Sequence, residues 1–249
     1  SQIFSTGIIY ADIDLQKIES DRYRNNVFTS KDECIKNIWF DMPINTVNLN
    51  RVYSKHPFIP CVDYKLTQRC EDILNIQTTA LVKRLKNTNT KNVVLGVSGG
   101  LDSTLALIVC TLAFDKLGLD KKGIFAISMP CFGTTEKTKT NAYKLAKSLG
   151  VSFDTIDITK SIEQHFKDIN HENDNYDTAF ENAQARERTQ VLMDIANMKN
   201  ALVIGTSDLS EIALGFSTYN GDHMSMYSVN CSVPKTLIKS IINYAAQSS

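Results

Sequence analysis

Val93-Val94-Leu95-Gly96-Val97-Ser98-Gly99-Gly100-Leu101-Asp102-Ser103 is the stretch on which the fold turns. Its first half, Val93 to Val97, is a short apolar run rich in β-branched residues. A glycine pair follows, and then Thr104 to Leu117 gives a helical pattern that stops at Gly118. This order predicts strand, tight loop and helix. The pattern recurs downstream, with a strand over Ile124 to Met129 before Pro130, a helix over Glu136 to Leu149 before Gly150, and a strand over Val151 to Ile158. Such βα repetition predicts an α/β fold, a doubly wound parallel sheet. A long helix around Phe180 to Asn197, a strand over Ala201 to Ile204 and a helix over Thr236 to Ala246 continue the alternation. Upstream, the spacing of Leu66, Ile73, Ile76, Leu81 and Leu85 predicts a helix with a broad buried face.

Residues 1–60 read differently: a strand-like Gly7 to Tyr10, a polar and partly helical Asp12 to Arg24, then irregular sequence to Pro60. They are expected to be a tail and linker ahead of one domain over 61–249. With 249 residues and 43% hydrophobic content the chain has material for a core, and its 27 basic and 27 acidic residues cancel. A chain without net charge has no long-range field for nucleic acid or anionic membrane, so the expected partner is a small molecule. No apolar run reaches the length of a membrane span, and no targeting segment stands at the N-terminus, so the expected location is the cytoplasm. The six cysteines form no CxxC pair, which argues against a zinc site or disulfide framework. Cys131 and Cys231 read as packing residues.

In Ser98 to Ser103 the glycines allow the backbone to approach a ligand, and the helix that follows aims free N–H groups and its positive end into the loop. A phosphate fits such a place. Neither the Walker pattern nor the spaced dinucleotide fingerprint is present, and a plain glycine turn remains open on the loop alone. Asp102 is out of place beside phosphates unless Mg²⁺ neutralises it, its plain role being a helix cap. Lys235, after Pro234 and opening a helix, reads either as a solvated lysine or as a cation set against a triphosphate.

The six residues from Ser98 to Ser103 resemble the SGGxDS signature of the N-type ATP pyrophosphatases, which adenylate a substrate oxygen. Three further segments narrow the resemblance: Glu181 to Arg188, Gly205 to Glu211 and Gly215 to Asp222. Each alone has a plain reading: a charged helix face, a helix cap by Asp208 or Ser210, and an Asn220-Gly221 turn. In this order, from about His56 to Lys239, they resemble the synthetase domain of glutamine-dependent NAD synthetases. Ala11 to Phe28 resembles the end of that family's nitrilase-like glutaminase domain, and the sequence stops before the later helices and covering loop of the family, so a fragment is expected.

The resemblance implies an enzyme, a ligase that amidates deamido-NAD to NAD through an acyl-adenylate, releasing AMP and pyrophosphate. The nitrogen would come from glutamine in the full-length protein, or from free ammonia here. It implies that Ser98, Gly99, Gly100, Asp102, Ser103, Thr206 and Lys235 hold ATP. Asp102 and Glu211 would hold Mg²⁺, with Glu211 alternatively touching the dinucleotide, and Asp102 and Lys235 would act in catalysis. Asn182, Arg186, Phe216, Ser217, Thr218, Tyr219 and Asp222 would bind deamido-NAD, partly across a homodimer interface. The aromatic Phe216 and Tyr219 can stack on a pyridine face, although a core role for Phe216 is open. The rivals are a GMP synthetase-like enzyme, opposed by the 182–186 and 216–222 segments, and a non-catalytic nucleotide-binding module such as a flavin or AMP sensor, opposed by the two separated carboxylates.

Overall fold

The computed structural model describes residues 7–8, 13–25, 36, 38–41, 43, 54–133, 136–172 and 174–248, with the side chains of 136–139 excepted. The chain divides into two units, 1–55 and 56–249. In the first, α1 (Leu15–Tyr23) is a polar helix with no buried residue, capped by the Asp14 side chain accepting from the Lys17 N–H at 2.9 Å. Of the expected strand at Gly7 to Tyr10, Gly7 and Ile8 are not in a strand, and the other half lies outside the described residues.

In the second unit a parallel five-stranded sheet runs in the order β3-β2-β1-β4-β5, made of β1 (Asn92–Gly96), β2 (Ile124–Ser128), β3 (Ser152–Thr155), β4 (Ala201–Gly205) and the short β5 (Tyr227–Ser228). The expected doubly wound parallel sheet is what forms. The strand-sized apolar runs are buried on both faces and alternate by face. Val93 and Leu95 join the core beneath α2 (Asp63–Thr88), α3 (Leu101–Leu117), α4 (Glu136–Leu149) and α8 (Lys235–Gln247), whereas Val94 joins the core beneath α5 (Thr159–Asp168) and α6 (Thr178–Lys199). The result is three layers with a core on each side of the sheet.

Helix α3 is apolar nearly all round, with nine buried residues including Leu105, Val109 and Phe114, because α2, α4, α8 and the sheet surround it. It is therefore a fixed post, and the loop that leads into it is held where the post begins. Gly99 reaches φ +77° there, a conformation that glycine adopts without a Cβ penalty. The winding reverses between β1 and β4: β1 leads through α3 to β2 on one side, while β4 lies on its other flank. In open parallel sheets, ligands enter the crevice at the carboxyl ends of the strands flanking such a reversal.

Candidate active site

A cavity of about 380 Å³ opens at that point, between the ends of β1 and β4. On one side stands the loop of Ser98 to Ser103. Gly100 takes the N-cap position of α3 without a side chain to offer, so no side chain caps the first turn of the helix. Ser103 and Thr104 turn their hydroxyls back onto the Gly100 carbonyl at 3.2 and 2.8 Å, which closes the loop from below. On the other side β4 runs into Thr206 and Ser207, then into the six-residue α7 (Leu209–Leu214). Asp208 caps α7: one carboxylate oxygen accepts from the N–H groups of Ser210 (2.7 Å) and Glu211 (3.0 Å), and the Glu211 side chain accepts from the Asp208 N–H in return.

Lys235, the first residue of α8, joins the two sides. Its ammonium lies 2.8 Å from Asp102, 2.8 Å from Asp208 and 2.9 Å from Glu211. Burial by itself disfavours the charged lysine, but its hydrogen bonds to Asp102 and Glu211 and the Asp208 carboxylate in ion-pair contact outweigh it and hold the ammonium above the ordinary lysine range. Burial likewise works against the Asp208 carboxylate, yet Lys235 and the α7 N–H groups hold it below the ordinary carboxylate range. Oxygen atoms of Asp102, Asp208 and Glu211 lie within 4.8 Å of one another. Asp102 keeps its other oxygen buried with no hydrogen-bond partner.

Of the sequence-predicted site residues, the cavity brings together Ser98, Asp102, Ser103, Thr206, Glu211, Thr218 and Asp222. Lys235 reaches the same carboxylates from outside the lining. Asn182 and Arg186 do not line the cavity; they fasten its rim. Thr218 donates its hydroxyl to Asn182 at 2.8 Å and its N–H to Asp222 at 2.7 Å, and the Arg186 Nε donates to the Tyr219 carbonyl at 3.1 Å. Phe216 and Tyr219 stand outside the cavity, 78% and 76% exposed, and Ser217 is exposed beside them. The open question of a core role for Phe216 is thereby answered against the core. Among the cysteines, Cys131 is buried as expected, but Cys231 is exposed, since it sits in the turn before α8 and packs into neither core.

Three residues of the site escaped the sequence reading. Asp208 was legible only as a helix cap, because nothing in the chain order shows that Lys235 returns to it. Arg188, the one lysine or arginine among the described residues that line the cavity, sits six residues beyond Asn182 on α6 and reads as part of a charged helix face. Its Nε donates to the Met129 carbonyl at 3.2 Å. Asn230, fully buried, donates to the carbonyls of Asp102 (2.9 Å) and Thr206 (3.1 Å) and accepts from Gln77 (3.1 Å), so one amide ties both sides of the site to α2.

The family model described as NAD synthase matches residues 73–246, which contain the cavity and every residue named around it. The chain belongs to the NAD synthase family. It is 43% identical over 260 aligned positions to the glutamine-dependent NAD(+) synthetase of Mycobacterium bovis, an alignment that covers 98% of this chain and 38% of that protein. The chain thus spans little more than a third of the length of the curated relative. Among solved structures it is similar to a glutamine-dependent NAD+ synthetase from Acinetobacter baumannii in complex with ADP, with TM-score 0.67, 26% identity and coverage of 72% of this chain and 34% of that one. It is also similar to an NH3-dependent NAD synthetase from Campylobacter jejuni, with TM-score 0.62, 31% identity and coverage of 70% and 72%. The family therefore includes members named for either nitrogen source. Among the described residues no helix is long and apolar enough to cross a membrane.

Proposed function

We propose that this chain carries the synthetase chemistry of NAD formation. In that reaction ATP adenylates the nicotinate carboxylate of deamido-NAD, and ammonia, free or released from glutamine elsewhere in a longer protein, displaces AMP from the acyl-adenylate. The observation that carries the reading is the meeting of Asp102, Glu211 and Lys235 at the mouth of an open helix N-terminus, in a chain of this family. A carboxylate does not react with ammonia unless its oxygen is first made a leaving group, and that activation separates negative charge on pyrophosphate. Lys235 and the open N–H groups at the start of α3 are placed to receive that charge, while Ser98 and Ser103 on one side and Thr206 on the other offer hydroxyls.

The residues present fit Mg²⁺. The donors are hard oxygens, three carboxylates against one ammonium leave two negative charges in excess, and the second Asp102 oxygen has no partner. Asp102 and Glu211 line the cavity and would hold the ion, which when bound compensates charge on the phosphates. No side chain is needed as a nucleophile. The rim fastened by Asn182, Arg186 and Asp222 would receive the dinucleotide, and the exposed Phe216 and Tyr219 suit a site completed by a second subunit. The test is to supply ATP, Mg²⁺, ammonium and deamido-NAD and to separate NAD⁺ and AMP by chromatography. NAD⁺ and AMP are expected in equal amounts, with Asp102→Ala reducing both by roughly 100- to 1000-fold, the scale of losing a principal charge-stabilising group. Equal activity in Asp102→Ala overturns the reading.

A further inference from the structure

We infer that Asp208 is the positioning residue for Lys235, the fixed counter-charge that keeps the ammonium beside the divalent-ion position when Asp102 and Glu211 are taken up. This rests on the function proposed above. The three carboxylates are not equivalent: the side chains of Asp102 and Glu211 are 26% and 28% exposed and line the cavity, whereas that of Asp208 is 0% exposed and lies behind them. One oxygen of Asp208 is consumed by the Ser210 and Glu211 N–H groups, and the other faces Lys235. The two backbones are stitched together as well. Leu209 donates its N–H to the Val233 carbonyl at 3.0 Å, and Lys235 donates its N–H to the Ser210 hydroxyl at 3.1 Å. Whatever the long lysine side chain does, Asp208 stays beneath it.

A divalent ion on Asp102 and Glu211 competes with the ammonium for the same carboxylates, and the repulsion between the two cations weakens the hold of both carboxylates on Lys235. Asp208, which does not line the cavity, is then the carboxylate that Lys235 does not have to share. The buried carboxylate then determines whether the ammonium stays at the site, turned toward the triphosphate, or leaves for solvent. The same carboxylate also places Glu211, through the reciprocal cap. A single residue fixes both the lysine and the start of the helix that carries the metal ligand.

Asp208→Asn separates the two duties, because asparagine caps helices as well as aspartate and lacks the charge. Asp208→Ser does the same with a smaller cap. In the intact protein, affinity for the Mg²⁺ complex of a non-hydrolysable ATP analogue is measured by calorimetry, alongside kcat and the KM for deamido-NAD, for wild type, Asp208→Asn, Lys235→Met and the double variant, with thermal unfolding as a check on folding. Expected for Asp208→Asn are a kcat about tenfold lower, analogue binding about fivefold weaker, and an unchanged KM for deamido-NAD. On the Lys235→Met background the same substitution should cause no further loss of kcat, and analogue binding should stay equal or tighten, since an unpaired negative charge near the phosphates has been removed.

Weakening of the analogue by a similar factor on both backgrounds makes Asp208 a metal ligand or a structural residue and overturns the inference. So does an Asp208→Asn protein indistinguishable from wild type. If Asp208→Asn does not fold, the same comparison is made with Asp208→Ser. If wild type itself does not bind the analogue, the proposed function fails, and the inference fails with it.

Discussion

The acidic corner and the Phe216 to Tyr219 stretch border the same cavity and are built in opposite ways. At the corner the charged groups are held against one another within the chain, with carboxylate in excess: Lys235 meets three carboxylates, Asp208 is sealed from solvent, and Asn230 braces the carbonyls on both sides. Along the other stretch Arg186 and Asp222 tie down the backbone and Asn182 holds the Thr218 hydroxyl, yet the aromatic side chains face outward. Groups proposed to handle phosphate and metal must be fixed before ligand arrives, because preorganised charge is what lowers the barrier. Aromatic surface left in solvent is unfinished by comparison. It gains its free energy only when something covers it.

Removing the brace should have the largest effect. Asn230→Ala takes a donor from the part-buried Asp102 and Thr206 carbonyls, and deprives Gln77 of one of its two acceptors. A buried polar group left unpaired costs about 1–3 kcal/mol. A loss of about 3 kcal/mol in urea unfolding is expected, together with a fall in kcat of roughly 100-fold, since both sides of the site lose register. A variant with full stability and full activity would show that the corner is braced elsewhere.

At the other border the effect should be smaller and of another kind. Phe216→Ala and Tyr219→Ala remove rings that touch neither core, so stability should stay within about 0.5 kcal/mol of wild type, as for exposed substitutions generally. If the rings stack on the dinucleotide, each contributes on the order of 1 kcal/mol, and the KM for deamido-NAD rises roughly five- to tenfold with analogue binding unchanged. A change in nucleotide binding without a change in the dinucleotide KM would reverse the contrast between the two regions.

The contrast also explains what could be read from the chain. The sheet was legible because strands buried on both faces, such as 93–97 and 201–204, are continuous apolar runs, and their helices end at Gly118 and Gly150. Helix α5 and strand β5 were not. The first is ten residues with a short apolar set at Ile162 and Phe166, and the second is two residues with no pattern to show. The loop of Ser98 to Ser103 was legible because its pattern is local, two glycines and a helix start within six residues. The partnership of Lys235 with Asp208 was not, because it depends on where α8 begins in space, 27 residues later in the chain. Gly205 was quoted as part of a motif, but its reason is packing: a Cβ there would collide with the Ser225 side chain, so the strand end can pass under the 221–226 turn only as glycine.

The smallest expected effect tests whether the corner is held by charge. Asp208 titrates below the ordinary carboxylate range in the folded protein and near pH 4 when unfolded, so the stability it contributes is present above about pH 4 and lost as the pH falls through the lower folded value. Asp208→Asn keeps the cap and removes only this contribution. Lys235 is 44% exposed and solvent screens the pair, so the expected gap between wild type and Asp208→Asn is about 1 kcal/mol at neutral pH without divalent ions. Thermal unfolding followed from pH 7 down to pH 2 should show that gap constant at first and closing in the acid range. A gap that persists at pH 2 would assign the difference to the shape of the cap, and the corner would then resemble the rim, held by its backbone and not by its charges.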